Sequence, residues 1–188
     1  GVSRMELKMI IAGFGGQGVM TLGKFLASAT CDTTEKNVTF FPSYGAEQRG
    51  GTANCYVGIS DDPVGSPIGD EMDDLIVLNQ PSLDKFLGKL KTGGTLYVNS
   101  SIVNEDIPRN DICVVKAPVS DLALQLGNAK VLNIIMLGVY IGYSKVLPPE
   151  VVWSSVEHKF SAKPKLLPLN KKAFEEGLKI GQSYLEDK

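Results

Sequence analysis

The sequence contains few of the residues that most often build metal centres and catalytic sites. Its three cysteines, Cys31, Cys55 and Cys113, form no CxxC pair, which excludes the usual frameworks of zinc sites and iron–sulfur clusters. The single histidine, His158, has no second ligand or nucleophile near it in the sequence and is expected to be structural. We therefore expect buried, reduced thiols, no metal site and no Ser/His/Asp catalytic set.

Long apolar segments and an excess of one charge are also missing. The longest apolar run, Ile134 to Ile141, is too short to cross a bilayer, and we expect no signal segment at the start of the chain. The net charge of -2 gives no electrostatic reason to expect nucleic acid or an anionic membrane as a partner. The length suits one domain. We expect a cytoplasmic domain over residues 5–188, with Met5 as the natural start and residues 1–4 as a cloning remnant.

Short apolar runs alternate with amphipathic segments through the first two thirds of the chain, and the last third is helical. This order predicts an α/β fold, a three-layer sandwich with a mainly parallel sheet and a helix-rich C-terminal third. Gly138 and Gly142 lie four apart in that third, a spacing that would let another element approach the backbone closely. Strands are expected at 7–12, 38–41, 52–60, 75–78, 95–98 and 112–115, and helices at 19–29, 82–90, 119–126, 128–143, from 148–149 onward, and at 170–186.

Capping residues and charge runs mark the expected boundaries and loops. Ser82 is expected to cap the second helix, and Gly93-Gly94 to end it before the next strand. The acidic runs Asp61-Asp62 and Asp70 to Asp74 are expected to be solvated loops, because most such runs face water.

A glycine-rich turn, "GFGGQG", joins the first strand to the first helix. Its spacing fits GxGxxG, in which glycines allow a tight turn and free N–H groups at the helix start hold an anion. A nicotinamide site would also need an acidic residue at the end of the second strand, but Asp32 and Glu35 precede that strand. The turn is therefore a plain connection, or a loop whose backbone faces a partner or an anion. Its candidate contact residues are Gly13, Gly15, Gly16, Gln17 and Gly18.

A second glycine-rich loop, "YGAEQRGG", comes directly before the third strand. Glu47 and Arg49 lie two residues apart, so they would share one face of an extended segment and pair there. Arginine and tyrosine are also common at interfaces between chains. The candidate contact residues in this loop are Tyr44, Glu47, Arg49, Gly50 and Gly51.

The ordered combination of these motifs resembles the gamma subunit of 2-oxoacid:ferredoxin (or flavodoxin) oxidoreductases. "GFGGQGV" after a first strand is followed by "PSYGAEQRGG", then by Ser66-Pro67 and "DDLIVLNQ". "NIIMLG" and the closing amphipathic helix fit the same pattern. The resemblance extends from about Leu7 to the C-terminus and implies one gamma-subunit domain over residues 5–188.

The resemblance implies that the complex converts a 2-oxo acid and coenzyme A to acyl-CoA, carbon dioxide and reduced ferredoxin. Thiamine diphosphate, magnesium and iron–sulfur clusters are then expected in partner chains, named alpha, beta and, in some complexes, a ferredoxin-like delta. This chain would bind no cofactor alone and hold no catalytic residue of its own. We favour 2-oxoglutarate or a branched-chain 2-oxo acid over pyruvate as substrate. Ferredoxin or flavodoxin would be reached through the complex.

Several alternatives stay open at this point. The "YGAEQRGG" loop would order its own backbone, contact a partner subunit, or bind coenzyme A through Arg49, and we favour a contact. The chain also resembles the beta subunit of indolepyruvate:ferredoxin oxidoreductase. A free-standing nicotinamide-binding protein and a pure scaffold are further hypotheses. An isolated chain would expose its partner-facing surface and form a homodimer.

Overall fold

The computed structural model describes residues 6–43, 52–63 and 71–187, and these contain every strand and helix that the sequence predicts, with the ends shifted by a few residues. The strands are β1 (Glu6–Gly13), β2 (Asn37–Ser43), β3 (Ala53–Ser60), β4 (Met72–Val77), β5 (Leu90–Asn99) and β6 (Cys113–Ala117). The helices are α1 (Val19–Thr33), α2 (Gln80–Phe86), α3 (Val119–Leu126), α4 (Leu132–Ser144), α5 (Pro149–Lys159) and α6 (Leu167–Glu186).

The strands form one sheet in the order β2-β3-β1-β4-β5-β6. Strand β3 runs antiparallel to both of its neighbours, whereas β1, β4, β5 and β6 pair in parallel. Because β2 is also antiparallel to β3, five of the six described strands point the same way. The predicted mainly parallel sheet is confirmed.

Helices cover both faces of the sheet, as expected for three layers. The face that we call the first carries the larger apolar core, to which α1, α3, α4, α5 and α6 contribute. The second face packs against α2 and the turn that follows it, with Val103 completing a smaller core. Among the described residues, no helix is long and apolar enough to span a membrane.

Helix α4 is the centre of the first-face layer, because every residue from Leu132 to Tyr143 is buried. A helix that is apolar all round must be enclosed on all sides. Its two glycines, Gly138 and Gly142, face Gly177 and Gly181 of α6, so that the two helix backbones touch. The predicted close approach is confirmed, and α6 is the element that makes it.

Two predicted boundaries are wrong. Asn79, not Ser82, caps α2: its side-chain Oδ1 accepts a hydrogen bond from the Ser82 backbone N–H at 2.9 Å. Gly93-Gly94 do not end the helix but lie inside β5, where pairing with β4 is irregular. Gly93 has a φ of 83° and donates its N–H to Asp111 O at 2.8 Å, a conformation that favours glycine.

The prediction that the acidic run at 70–74 is a solvated loop is wrong in part, because Asp73 and Asp74 lie in β4. Asp74 is only 8% exposed and accepts a hydrogen bond from the hydroxyl of Tyr140 at 2.8 Å. It occupies the first face in phase with Ile76, and the alternation of a strand places it in the core. Burial raises the pKa of the Asp74 carboxyl to about 6.

The cysteines only partly match the expectation of buried thiols. Cys55 is fully buried, and burial raises the pKa of its thiol to about 12. Cys113 is half-buried, and Cys31 is exposed on the last turns of α1. Cys31 follows two buried residues, but it projects from the opposite side of the helix, so apolar neighbours in sequence were misleading.

Candidate functional site

The candidate site lies at the carboxyl edge of the sheet, where the adjacent parallel strands β1 and β4 end. After β1 the chain crosses the first face through α1 towards β2. After β4 it crosses the second face through α2 towards β5. The two connections therefore leave neighbouring strands in opposite directions. In open α/β sheets, such a divergence opens the crevice in which ligands usually bind.

The predicted glycine loop occupies this position. Gly13 ends β1, Gly15–Gln17 form a 3-10 turn, and Gly18 stands directly before α1. A Cβ on Gly15 or Gly16 would meet nothing within 4 Å, so this part of the loop faces open space. Phe14 beside it is 41% exposed. The loop thus presents its backbone and one aromatic ring outward.

The side chain of Gln17 fixes the loop against the neighbouring strand. Its Oε1 accepts a hydrogen bond from the Phe14 N–H at 2.7 Å, and its Nε2 donates to Leu78 O at 3.1 Å. Leu78 directly follows β4. Gln17 therefore bridges the ends of β1 and β4 across the crevice and acts on this geometry as a positioning residue.

Sequence reasoning missed the polar groups that extend this network. Asn99, at the end of β5, donates from Nδ2 to Leu78 O at 3.2 Å and to Ser120 Oγ at 2.9 Å. Ser120 lies in the first turn of α3, so one amide ties β4, β5 and α3 together. The sequence did carry a signal for these groups, because two successive apolar runs each end in an asparagine, Asn79 and Asn99.

Gly18 is held where only glycine fits. Its φ is 76°, and a Cβ there would overlap Nδ2 of Asn133, a buried side chain of α4 that donates to Gly18 O at 3.3 Å.

We expect Gly18→Ala to lower the free energy of unfolding by about 2 kcal/mol, through left-handed strain and this overlap. Chemical denaturation measures it. Gly16→Ala is the matched control, since its Cβ has free space; equal stability of the two variants would contradict the prediction.

The second predicted loop begins and ends at the same edge. Its residues Tyr44, Glu47, Arg49, Gly50 and Gly51 lie outside the described residues. The strand ends on either side of it are described: Ser43 pairs with Asn54, and Ala53 pairs with Gly13. The strand ends that flank the second loop therefore lie at the same edge as the glycine loop.

Large apolar side chains are exposed at this edge. Phe14 follows β1 and is 41% exposed, and Ile102 follows β5 and is 43% exposed. Phe41, which is 52% exposed, lies level with Ile10 and lines a pocket on the second face instead. Exposed apolar groups gathered on one side of a domain are typical of surfaces that bind another protein. The edge thus combines free backbone, polar groups and apolar side chains.

The geometry does not favour a nicotinamide at the glycine loop. In the dinucleotide fold the second strand lies next to the first, and its acidic terminal residue reaches the ribose. Here β3 separates β1 from β2. Asp32 and Glu35 lie near the start of β2, which pairs through Ser60 with the start of β1, so they are at the opposite edge from the loop.

Metal ligands are not gathered here either. Within the described ranges, no group of three or more His, Cys, Asp or Glu side chains is placed to hold a metal ion. The groups that the edge offers are therefore amides, hydroxyls, backbone N–H groups and apolar side chains. Such groups bind and position other molecules.

Comparison with known proteins relates this fold to one family of enzymes. The family model described as "Pyruvate ferredoxin/flavodoxin oxidoreductase" matches residues 8–180. Ketoisovalerate oxidoreductase subunit VorA of Methanothermobacter marburgensis is 36% identical over 182 residues, which cover 96% of this chain but 38% of that relative. 2-Oxoglutarate synthase subunit KorC of Methanocaldococcus jannaschii is 32% identical over 149 residues, covering 78% of this chain and 80% of the relative.

A solved structure extends the similarity to the whole fold. The gamma subunit of the keto/oxoacid ferredoxin oxidoreductase from Geobacter sulfurreducens superimposes with a TM-score of 0.85 at 28% identity, covering 95% of this chain and 98% of that one. The shared fold includes the sheet whose carboxyl edge carries the glycine loop. Since the family model matches almost the whole chain, this chain belongs to the pyruvate ferredoxin/flavodoxin oxidoreductase family.

Proposed function

We propose that this chain contributes the gamma-type part of a 2-oxoacid:ferredoxin oxidoreductase, which converts a 2-oxo acid and coenzyme A to acyl-CoA, carbon dioxide and reduced ferredoxin. The observation that carries the proposal is the carboxyl edge of the sheet, where the glycine loop and the flanks of the second loop lie side by side. The gamma subunit with the same fold supports it along nearly its full length. In VorA the matching region is part of a longer chain, whereas in the Geobacter sulfurreducens enzyme it is a separate subunit.

Docking, not bond making, is the proposed role of this edge. Phe14 and Ile102 would insert into the alpha or beta chain, and the amides of Gln17 and Asn99 would keep their loops in place. Apolar anchors among polar groups are the usual composition of such interfaces. Ferredoxin or flavodoxin would be reached through the complex, with a ferredoxin-like delta chain as a further partner.

The cofactors of the reaction would belong to the partner chains. Thiamine diphosphate with magnesium supplies the carbanion chemistry, and iron–sulfur clusters carry the electrons. The described part of this chain has no cluster of metal-binding side chains to hold either metal. Its cysteines are unpaired, which suits a reducing cytoplasm as the place of assembly.

For the substrate we propose a branched-chain 2-oxo acid or 2-oxoglutarate. The relative at 36% identity is named for ketoisovalerate, and the one at 32% for 2-oxoglutarate. Substrate selection would be made in the partner chains, so this choice rests on those names alone. Assays of the complex with ketoisovalerate, 2-oxoglutarate and pyruvate test this choice of substrate. An assay with indolepyruvate tests the alternative, an indolepyruvate:ferredoxin oxidoreductase.

Purification of the tagged chain from its native cells tests the function. We expect a complex several times the mass of the chain, containing iron and thiamine diphosphate, that reduces ferredoxin with a 2-oxo acid and coenzyme A. A colourless protein at the mass of one or two chains, without activity, would contradict the proposal. NADH titration of that protein would then test the nicotinamide hypothesis directly.

Arg49 provides a test of the second loop. We propose that it contacts a partner chain or a phosphate of coenzyme A, because a guanidinium group binds both carboxylates and phosphates well. Arg49→Ala is expected to weaken complex assembly or raise the KM for coenzyme A by about tenfold, the usual effect of losing one charged contact. Lys172→Ala, an exposed position on α6, is the control. If assembly and KM both stay unchanged, Arg49 only orders its own loop.

A further inference from the structure

A continuous groove runs between α1 and α5 on the first face, away from the carboxyl-edge loops. Two cavities of 440 and 250 Å³ adjoin in it and share Asp32, Ser155 and His158. The helices are antiparallel along the groove, since Lys24 and Lys159 line one cavity while Thr33 and Glu150 line the other. His158 is exposed in this groove and is not part of the core.

Charge is separated along the groove. Lys24 and Lys159 form a basic end, with the ammonium group of Lys159 placed 5.5 Å from the centre of the Phe25 ring. Asp32 and Glu150 form an acidic end. The two ends are about 12 Å apart, because eight residues of α1 separate Lys24 from Asp32 at a rise of 1.5 Å each.

These charges do not neutralise one another within the chain. Across the described residues, Lys24, Asp32 and Glu150 make neither an ion pair nor a hydrogen bond through their side chains. The two lysines therefore lie at one end and Glu150 at the other, while Asp32 borders both cavities. A molecule that offers the opposite charge at both ends, with the same spacing, would complement the groove.

We propose that the occupant of this groove is a second copy of this chain. A two-fold axis perpendicular to the groove, passing near Ser155, would place the basic end of each copy over the acidic end of the other. An isologous interface needs a surface that is complementary to itself, and a groove with opposite charges at its two ends has this property. The inference does not depend on the proposed function.

The shape of the groove fits such a contact. Short side chains line its middle, so the two helix pairs can approach closely; they are Ser28, Ala29, Ser154 and Ser155. The 440 Å³ cavity at the acidic end has room for the long lysine side chains of the other copy. Phe14 and Ile102 are not part of the groove, so the carboxyl edge stays free for partner chains.

A polar contact of this kind is expected to be weak and sensitive to salt. Exposed charge pairs are screened within about 10 Å at about 0.1 M salt. Sedimentation velocity of the purified chain over a range of concentrations, at low salt and at about 0.5 M salt, measures the dimer and its salt dependence. A chain that stays monomeric at every concentration and salt would overturn the proposal.

Charge exchange tests the contact residue by residue. Lys24→Glu and Glu150→Lys should each raise the dimer dissociation constant at least about tenfold, because each places like charges opposite one another. The double variant should restore the dimer, since position 24 of one copy faces position 150 of the other. Lys172→Glu, on α6 outside the groove, should change little. An unchanged dissociation constant in the single variants, or no recovery of the dimer in the double variant, would overturn the proposal.

A cross-link provides an independent measurement. In a Cys31→Ser background, Ser155→Cys should form a disulfide between two copies under mild oxidation, because a residue near a two-fold axis meets its own counterpart. Ser183→Cys, exposed on α6, is the control. Faster cross-linking at position 155 supports the proposal, and equal or slower cross-linking overturns it.

Discussion

Gly177→Ala is expected to lower the free energy of unfolding by about 3 kcal/mol, although alanine is the better helix former. A Cβ at Gly177 would overlap the carbonyl oxygen of Ile135 and lie 2.9 Å from Val139 N. These are backbone atoms of α4 and cannot rotate away. The helices α4 and α6 would have to separate, which opens the centre of the first-face core.

Thermal and chemical unfolding of purified variants measure this effect. A loss of about 3 kcal/mol corresponds to a fall in Tm of roughly 10 °C for a domain of this size. Gly88→Ala is the matched control, because a Cβ at Gly88 meets nothing within 4 Å. We expect that variant to stay within about 0.5 kcal/mol of the wild type. Equal stability of the two variants would show that α4 and α6 do not pack backbone to backbone.

Asp74→Asn is expected to stabilise the protein above neutral pH. The Asp74 carboxyl is buried between β4 and α4, and burial raises its pKa to about 6, with a nearby Asp73 adding to the rise. The hydrogen bond from Tyr140 and the positive charge of Lys91 lower it and offset part of this shift. Ionised Asp74 is therefore less favourable in the folded chain than in the unfolded one.

The direction of the pH dependence follows from this raised pKa. The folded protein binds the Asp74 proton more tightly than the unfolded chain, so this contribution to stability is full below about pH 4. It is lost as pH rises through about 6. The shift corresponds to at most about 3 kcal/mol between those limits. Asparagine has no charge to bury and still offers an oxygen to the Tyr140 hydroxyl.

Urea denaturation from pH 4 to 8 tests the prediction. We expect the free energy of unfolding of the wild type to fall across this range, and that of Asp74→Asn to fall less. At pH 8 the variant should be more stable by about 1–2 kcal/mol, a figure that includes the cost of one unpaired amide hydrogen. Asp84→Asn, an exposed carboxylate on α2, should leave the wild-type dependence unchanged. Parallel pH profiles for Asp74→Asn and the wild type would refute the role of Asp74.

The site was predictable where local sequence dictates local structure. The glycine loop was found because consecutive glycines between an apolar run and a helical pattern permit only a tight turn. Asn99 and Ser120 were missed, because each is a common polar residue whose role arises when β5 and α3 meet. Asp74 was assigned to a solvated loop because runs of acidic residues usually face water. The structure begins β4 at Met72, and the alternation of that strand then directs Asp74 into the core.

By itself the sequence determined the order of strands and helices, the family motifs and the glycine spacing on α4, because these depend on neighbours along the chain. Only the tertiary structure decided that β3 lies reversed between β1 and β2, that Gly177 and Gly181 meet the glycines of α4, and that Asp74 is buried. Strand order and burial depend on contacts between residues far apart in sequence, and periodicity carries no information about which distant elements meet.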